Sequence, residues 1–378
     1  MLTSAGYGVH ARFIARYLFE LHDAGEIELF IRAVPWGVTP WLISPELENG
    51  LIGRLMERTI EFGGPFDVSI QLQLPNEWDH KLASINIGVT AGVETDICNP
   101  AWVGACNEMT GVIVPSDHAR STLQRSGKLT APIEIVPEPF PDELLSVSMS
   151  TLDFPAKKCL LIVGQICGDQ NTDRKNVLNT VRAACEALRD VPDSGIVLKT
   201  NAGRNTRIDL YQVRASLKAL LDQCRPGKQP PVRLMHGTMS STEIASLYKH
   251  PSALALVSLT RGEGFGLPLL EAAACDLPVI ATDWSAHCEF LDLGNWIRVK
   301  HSLKTIPKHR VDANIFVEGA RWAEPDAEDA KKKMKKIFSS PALPKQWAQE
   351  LGSKIRERYS YDACRRDLDA VLRKHLGS

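Results

Sequence analysis

Two glutamates flank a glycine-rich turn, and their type and spacing are the clearest chemical signal in the chain. Glu263 lies in the turn, and Glu271 follows after seven residues, one turn into the predicted helix. Two carboxylates placed in this way are paired acceptors, which suits a ligand with vicinal hydroxyls, one facing a sugar and the other a ribose. The competing interpretation is that Glu271 only stabilises the helix N-terminus and that Glu263 is solvated.

The turn between the glutamates has the features of an anion site. Gly262, Gly264 and Gly266 permit a tight loop in which the backbone approaches a ligand closely. Pro268 suits the first turn of a helix, where its missing N–H costs nothing. The helix predicted from Leu267 to Cys275 therefore directs free N–H groups and the positive end of its dipole at the loop, which suits a nucleotide diphosphate.

The bulk composition excludes several classes of protein. The 378 residues are 44% hydrophobic and 24% charged, which is typical of a globular chain with two domains. A net charge of -1 argues against a protein that binds nucleic acid through phosphate contacts. No apolar run approaches the roughly 20 residues of a membrane helix. With no recognisable secretory signal, we expect a cytoplasmic protein with at most peripheral membrane contact.

The nine cysteines are expected to be reduced. Their count is odd, and no pair has the C-x-x-C spacing of a zinc or redox site. We interpret them as mostly buried, small hydrophobic residues of a cytosolic protein, rather than as disulfides or ligands of a structural zinc.

Short apolar runs alternate with amphipathic helical patterns along the chain. The predicted strands are Ile27–Val34, Asp67–Leu72, Asn86–Val89, Val112–Pro115, Glu134–Val136, Cys159–Gly164, Gly195–Thr200, Val232–Met235, Ala253–Ser258 and Val279–Ala281. Several contain consecutive Val, Ile and Leu, as strands buried on both faces of a parallel sheet do. The alternation predicts an α/β protein made of two doubly wound domains.

The chain is predicted to divide into an N-terminal Rossmann-like domain, a linker, a C-terminal Rossmann-like domain and a helical tail, at residues 1–140, 141–155, 156–340 and 341–378. The linker is rich in Pro, Ser and Asp and lacks a clear period. The tail is predicted as one helix from about Lys345 to Leu376. Only Met1–Thr3 precede the first glycine turn, so we expect the first strand of the N-terminal sheet to be missing and the chain to start late.

The segment from Thr260 to Asp283 resembles the signature of a large enzyme family. Its residues Glu-Gly-Phe-Gly-Leu-Pro-Leu-Leu-Glu-Ala, then Leu-Pro-Val-Ile-Ala-Thr, are similar to the E-x7-E motif of the retaining GT-B glycosyltransferases of the group 1 type. The resemblance is strongest from about Cys159 to Phe290. It implies a GT-B fold, two Rossmann-like domains facing across a cleft. The acceptor then binds the N-terminal domain, a nucleotide-sugar donor binds mostly the C-terminal domain, and a C-terminal helix crosses back.

The resemblance also implies roles for the residues of the turn. In the family, the first glutamate contacts the donor sugar near its anomeric face and the second holds the ribose, which implies these roles for Glu263 and Glu271. Backbone amides are implied to lie against the sugar and the diphosphate at four positions, Gly264, Phe265, Gly266 and Leu267.

The family neutralises the leaving diphosphate with a basic pair after the first strand of its C-terminal domain. Lys175 matches the family lysine, but Gln165 stands where the arginine usually follows a glycine, and we therefore assign Arg174 as its substitute. The competing interpretation of this pair is a salt-bridged helix start. Lys199 and Arg204, near the end of another predicted strand, are weaker candidates for this task, and a surface charge is the favoured interpretation of both.

Two further segments resemble parts of the family's donor site. His236, Gly237 and Thr238 match the segment that packs beside the base, although an ordinary strand-to-helix turn is an equal interpretation. Gly6 and Gly8 match the glycine loop that lies near the donor phosphates.

Other positions depart from the family. The family often has a His after the fourth strand of the N-terminal domain; here Glu94 or Asp96 is the candidate to replace it, unless both are simply solvated. Glu289 matches a family glutamate whose preceding glycines are here Ser285 and Ala286. Three histidines have no partner that suggests metal or base chemistry, namely His80, His118 and His287.

The sequence therefore predicts a retaining glycosyltransferase of glycan or glycoconjugate biosynthesis, which moves a sugar from a nucleotide-diphosphate sugar to a saccharide or another hydroxyl acceptor. The departing phosphate can take the proton of the acceptor, so no separate base is required. Because no Asp-x-Asp metal signature precedes the sugar site, no metal and no other cofactor is expected. Two alternatives remain open, a catalytically silent nucleotide-sugar binder or partner subunit, and a phosphorylase on the same fold.

Overall fold

The computed structural model describes residues 1–34, 37–59, 64–145, 150–166, 168, 170–224 and 229–376. Its α-helices are α1 (Gly6–Asp23), α2 (Leu51–Glu57), α3 (Pro100–Glu108), α4 (Asp117–Ser126), α5 (Val177–Leu188), α6 (Arg207–Gln223), α7 (Ser241–Tyr248), α8 (Leu267–Ala274), α9 (His287–Leu291), α10 (Ala327–Ser339), α11 (Ala342–Arg358) and α12 (Tyr361–Leu376). Its strands are β1 (Phe66–Leu72), β2 (Ala83–Val89), β3 (Gly111–Val114), β4 (Ile133–Ile135), β5 (Lys158–Val163), β6 (Ser194–Thr200), β7 (Val232–His236), β8 (Ala253–Ser258), β9 (Val279–Thr282), β10 (Ile297–Val299), β11 (His301–Thr305) and β12 (Arg321–Pro325).

Six parallel strands form the C-terminal sheet, in the order β10-β9-β8-β5-β6-β7. Helices cover both faces: along β6, Ile196 and Leu198 face the core beneath α5 and α10, whereas Val197 faces the core beneath α7 and α8. The strands are therefore apolar in runs, as predicted for a doubly wound domain. Strand order reverses between β5 and β8, so the loops after these two strands emerge side by side at the carboxyl edge, where α/β folds bind ligands.

Four parallel strands form the N-terminal sheet, in the order β1-β2-β3-β4. The prediction of a strand at Ile27–Val34 is wrong, because the chain there has no strand partner. Leu29 and Ile31 are buried, but their backbone groups are hydrogen-bonded to Arg58. The two apolar side chains produce a strand-like pattern although the segment packs on α1 and α2 instead of joining the sheet.

The start of the chain contributes one bridge rather than a strand. Thr3 forms an isolated antiparallel bridge with Trp41, and α1 begins at Gly6 directly afterwards. The apolar stripe of α1 is buried, with Phe13 and Tyr17 packed against α12. Within the described residues, the parallel N-terminal sheet thus has four strands, and the division of the chain into domains remains our proposal.

A two-stranded hairpin, β11 and β12, was not predicted. It follows the C-terminal sheet in the chain but packs on the N-terminal domain, where Trp322 joins the core that contains Trp102. Arg321 reinforces this contact, because its backbone N–H and its Nε lie 2.6 and 2.7 Å from the two carboxylate oxygens of Asp96. Each strand has five residues and neither contains an apolar run of the kind on which the other predictions depended.

The predicted single helix of the tail is two helices. α11 ends at Arg358, and the hydroxyl of Ser360 accepts from the N–H of Ala363 to start the next helix. α12 then packs on α1, where Tyr17 donates to Asp369 at 2.5 Å. The break lets α11 lie against α8 while α12 lies against the N-terminal domain.

Three further features of the structure concern its cysteines, membrane-spanning helices and metal sites. The eight described cysteines are free thiols, and Cys167 lies outside the described residues. In the part of the chain that the structure describes, no helix is long and apolar enough to cross a membrane. In the same residues, no group of three or more His, Cys, Asp and Glu side chains could hold a metal ion.

Candidate donor-binding and catalytic site

Glu263 lies in a buried cluster of charges at the carboxyl edge of the C-terminal sheet. It follows β8, while Arg174 and Lys175 follow the adjacent β5. Its side chain is 7% exposed, and Oε2 accepts a hydrogen bond from Lys175 Nζ at 2.5 Å and lies 3.5 Å from Arg174 Nη1. Burial alone would raise the pKa of Glu263, but the two cations outweigh burial and lower this pKa to about 2. Glu263 is therefore ionised at physiological pH.

Arg174 connects this cluster to the N-terminal domain. Its guanidinium pairs with Glu94 at 2.9 Å and donates to Gly262 O at 2.6 Å. The structure thus brings together the three predicted catalytic residues. The ion partners of Arg174 and Lys175 lie on other loops and not at the start of α5. Two cations and two carboxylates thus cancel in formal charge within this cluster.

The glycines of the loop serve a contact that the sequence did not reveal. A Cβ at Gly262 would lie 2.1 Å from Glu94 O, and one at Gly264 would lie 2.5 Å from Ala91 O. These glycines therefore let the loop approach the backbone of the N-terminal domain, where we had expected close approach to a ligand. Gly266 has φ +106°, the left-handed region that favours glycine, and is the N-cap of α8.

The open end of α8 lies at this loop. The N–H groups of Leu269 and Leu270 both donate to Gly266 O, so the amides before them precede the first helical hydrogen bonds. Phe265 packs its ring in the core against Phe290, and only its backbone is left for a ligand. The predicted amide positions at this end of the helix are Gly264, Phe265, Gly266 and Leu267.

Glu271 lies on α8, half-buried, beside α7. Its Oε2 accepts a hydrogen bond from the hydroxyl of Tyr248 at 3.0 Å. Burial raises the pKa of Glu271 to about 7, although Tyr248 and the charge of Lys199 act in the opposite direction. Tyr248 was not singled out from the sequence, because only the packing of α7 on α8 places it there.

Lys199 corrects the interpretation of a surface charge. It is the penultimate residue of β6, on the same face as Val197, and it is 6% exposed. Its Nζ donates to Gly237 O at 2.6 Å and to Asn201 Oδ1 at 2.8 Å. Burial lowers the pKa of Lys199 to about 8, against the opposing influence of Glu243 and Glu271. A buried lysine thus lies between the segment assigned to the base and the glutamate assigned to the ribose.

The segment His236–Thr238 follows β7 beside Lys199. His236 is half-buried, and its buried Nε2 has no hydrogen-bond partner among the residues that the structure describes. Gly237 has φ +111° and open space at its Cβ position. Thr238 accepts a hydrogen bond from Asn205 Nδ2 at 3.0 Å.

The two predicted glycines at the start of α1 have different surroundings. A Cβ at Gly6 would meet no atom within 4 Å, whereas one at Gly8 would lie 2.1 Å from Thr3 O. Gly6 is therefore the position at which a ligand could approach, and Gly8 is required by packing. Between them, the hydroxyl of Tyr7 lies 3.0 Å from Thr90 Oγ1 and accepts from Ala91 N, beside the loop that contacts Gly264.

Glu289 holds the two domains together near the loop. Its carboxylate accepts hydrogen bonds from the N–H groups of Asp117 and His118, at 2.9 and 2.8 Å, at the N-terminus of α4. The hydroxyl of Ser116 donates to Gly264 O at 2.8 Å. The family glutamate identified in the sequence thus caps a helix of the opposite domain.

A family comparison identifies part of the chain. Residues 214–351 match the family model described as glycosyl transferases group 1. This stretch contains β7 to α10, the loop with Glu263, and Glu271. No match is found among curated protein sequences.

Comparison with solved structures identifies the fold. Anabaena HepE in complex with UDP and glucose is 12% identical, with 98% of this chain and 97% of that one covered and a TM-score of 0.58. Sucrose-phosphate synthase from Thermosynechococcus elongatus is 14% identical, with coverages of 97% and 78% and a TM-score of 0.55. S. aureus TarM in complex with Fondaparinux, alpha-GlcNAc-glycerol and UDP is 14% identical over 81% of this chain, with a TM-score of 0.53, and the chain spans 55% of its length. The shared fold is GT-B.

Proposed function

We propose, from the premise that this chain carries the group 1 glycosyltransferase family domain on a GT-B fold, that it is a retaining glycosyltransferase. It moves a sugar from a nucleotide-diphosphate sugar to a hydroxyl acceptor, in the synthesis of a glycan or glycoconjugate. The observation that carries the proposal is the ionised, buried Glu263 held between Lys175 and Arg174 beside the open end of α8.

The diphosphate is placed by an exchange of ion partners. In the structure, Lys175 is paired with Glu263, and Arg174 with Glu94 and Glu263. A bound diphosphate offers oxygens of higher charge density, so both cations turn to it and neutralise the charge that grows on the leaving group. The exchange frees the Glu263 carboxylate, which is ionised while it is paired with the two cations, to face the sugar.

The chemical step follows the geometry of this exchange. The bond between the anomeric carbon and the diphosphate oxygen breaks with its electron pair going to the phosphate. The acceptor oxygen forms the new bond on the same face, and its proton passes to the departing phosphate oxygen. Glu263 stabilises the positive charge that develops on the sugar ring and takes no proton. Lys175 and Arg174 supply the positive charge for the leaving group, so the proposed route uses no metal.

The nucleoside is placed on the opposite side of the loop. Glu271 accepts hydrogen bonds from the ribose hydroxyls, with Tyr248 orienting its carboxylate. The base lies beside His236 and Gly237, whose carbonyl is fixed by Lys199. UDP sugars are the first donors to test, because UDP is bound in the structures of HepE and TarM.

The experiment is a panel of UDP, GDP, ADP and dTDP sugars. We expect one nucleotide class to raise the melting temperature of the chain and its sugar to be hydrolysed or transferred. Glu263→Gln is the matched control, which should keep the thermal shift and lose turnover. A thermal shift without any turnover would support the silent binder instead, and the absence of a shift with every nucleotide would contradict the assignment of the donor site.

A further inference from the structure

Ser285 has a backbone conformation that is unusual for serine. Its φ is +81°, in the left-handed region that favours glycine, and it stands where the resembling family has a glycine. It lies in the turn between β9 and α9, directly below the loop of Glu263. Because a glycine would avoid this strain, the presence of serine at this position points to a role for its side chain.

The hydroxyl of Ser285 is the centre of a hydrogen-bonded chain. It accepts from the backbone N–H of Glu263 at 2.9 Å and lies 3.4 Å from His287 Nδ1. His287 Nε2 lies 2.7 Å from Thr282 O. Because a carbonyl only accepts, Nε2 carries the proton, which leaves Nδ1 as an acceptor for the Ser285 hydroxyl. These assignments fix which group donates in each hydrogen bond from Glu263 through Ser285 and His287 to Thr282.

The imidazole of His287 is immobilised and neutral. Its residue is fully buried, and burial lowers its pKa. A Cβ at Gly266 would lie 3.0 Å from His287 Cβ, and the ring of Trp296 packs edge-on with centroids 6.3 Å apart. The N–H of Ala286 also donates to Glu263 O at 3.3 Å. Both backbone polar groups of Glu263 are therefore held from the turn after β9.

We propose that Ser285 and His287 are positioning residues for Glu263, an inference that rests on the proposed function of Glu263. When Lys175 and Arg174 turn to the diphosphate, the side chain of Glu263 loses its ion partners. The chain of hydrogen bonds through Ser285 and His287 remains, and it keeps the carboxylate at the anomeric carbon. A displacement of about 1 Å at a reacting centre costs on the order of 100-fold in rate.

Two substitutions of Ser285 distinguish the effect of losing its hydroxyl from the effect of relieving its backbone strain. Ser285→Ala removes the hydroxyl and keeps the strained conformation, whereas Ser285→Gly removes the hydroxyl and relieves the strain. We expect kcat to fall about tenfold or more in both variants. Donor KM should stay within about twofold, because Glu271 and Tyr248 are held by other helices. The melting temperature of Ser285→Gly should be at or above that of Ser285→Ala.

A purely structural role gives a different result. Activity would then follow stability, and Ser285→Gly would turn over at the wild-type rate, which overturns the inference. His287 supplies a second comparison. His287→Asn keeps an acceptor near the Nδ1 position and His287→Gln does not, so kcat should be higher for the Asn variant. Equal rates for these two variants would overturn the part assigned to His287.

Glu263→Gln, measured in the same assay, separates this inference from the proposed function. If Glu263→Gln loses turnover while both Ser285 variants keep the wild-type kcat, the positioning chain is wrong and the proposed function stands. If Glu263→Gln keeps the wild-type kcat, the proposed function of Glu263 is wrong, and the inference is overturned with it.

Discussion

Glu263 and Glu271 are both glutamates, the first in the loop before α8 and the second on α8 itself. Their surroundings nevertheless shift their pKa values in opposite directions. The pKa of Glu263 is lowered to about 2 by Lys175 and Arg174 in spite of burial, and that of Glu271 is raised to about 7 by burial. The first is an anion in the structure, where it is paired with both cations, which suits a group proposed to stabilise positive charge. The second titrates near neutrality, so the binding of a ribose to it should depend on pH.

The first prediction is a pH dependence of donor binding. Glu271 is protonated in the free protein below a pH of about 7 and ionised above it, so donor KM should fall as pH rises through this value. Glu271→Gln should raise KM roughly 5- to 150-fold, the worth of about 1–3 kcal/mol in charge-assisted hydrogen bonds, and abolish the pH dependence. Initial rates over donor concentration at several pH values provide the measurement.

The competing role of Glu271, support of the helix N-terminus, has a different outcome. Glu271→Gln would then cost about 0.3–1 kcal/mol of the free energy of unfolding, and donor KM would be unchanged at every pH. Such a result would remove Glu271 from the donor site.

The second prediction concerns the ion pair of Lys175 and Glu263. Lys175→Ala leaves a buried carboxylate with one partner fewer, which should lower the free energy of unfolding by about 1–3 kcal/mol and abolish most turnover. In the double variant Lys175→Ala with Glu263→Gln, the unpaired charge is gone, so stability should recover while turnover stays low. Urea denaturation and steady-state kinetics of the four proteins test this. Recovery of turnover in the double variant would contradict the catalytic assignment.

At the scale of elements, two helix N-termini carry the contacts between the sheets. α8 opens at the glycine loop, and α4 opens at Glu289, which belongs to the other domain. Ser116 lies next to both helix N-termini, and its hydrogen bond to Gly264 O joins the glycine loop to α4. α8, to which we assign the donor amides, is thus fixed to α4 of the N-terminal domain.

The third prediction is that Glu289 stabilises the protein through α4. Glu289→Ala removes the acceptor for two N–H groups and should cost about 0.5–2 kcal/mol of the free energy of unfolding, as the loss of a helix cap does. Glu328→Ala is the control, because Glu328 is 74% exposed and its ion partner among the described residues is Lys331 on its own helix. Its loss should cost less than about 0.5 kcal/mol. Equal effects in urea denaturation would exclude a capping role.

At the scale of the whole molecule, the contacts between the domains involve the catalytic cations. Arg174 is paired with Glu94 of the N-terminal domain, while the neighbouring Asp96 is paired with Arg321 of the hairpin. If the donor binds as proposed, the ion pair of Arg174 with Glu94 has to open, whereas that of Asp96 with Arg321 does not.

The fourth prediction follows from this difference. Glu94→Gln removes a competitor of the diphosphate for Arg174, so UDP or the preferred nucleotide should bind several-fold more tightly. Asp96→Asn removes an equivalent charge two residues away and should leave the affinity unchanged. Isothermal titration calorimetry of both variants measures this. Weaker binding in Glu94→Gln would show that Glu94 orients Arg174 for the diphosphate instead of competing for it.

The sequence alone determined the α/β class and the positions of nine of the ten predicted strands, because buried parallel strands need apolar runs that are visible without the fold. It also located the loop that joins Glu263 and Glu271, since Gly266 and Pro268 are local requirements of the strand-to-helix turn. It failed at Ile27–Val34, where two apolar side chains are buried outside any sheet.

Only the tertiary structure decided what each of these residues contacts. Lys175 reaches Glu263 across 88 residues of chain, and Ser116 reaches Gly264 across 148. Such pairs depend on strand order and on how the two domains meet, which no local pattern specifies. The burial of Lys199 beside Glu271 and the hydrogen bond from Glu263 to Ser285 have the same origin. Residue type and spacing indicated which groups could act on a ligand, and only packing brought their partners within hydrogen-bond distance.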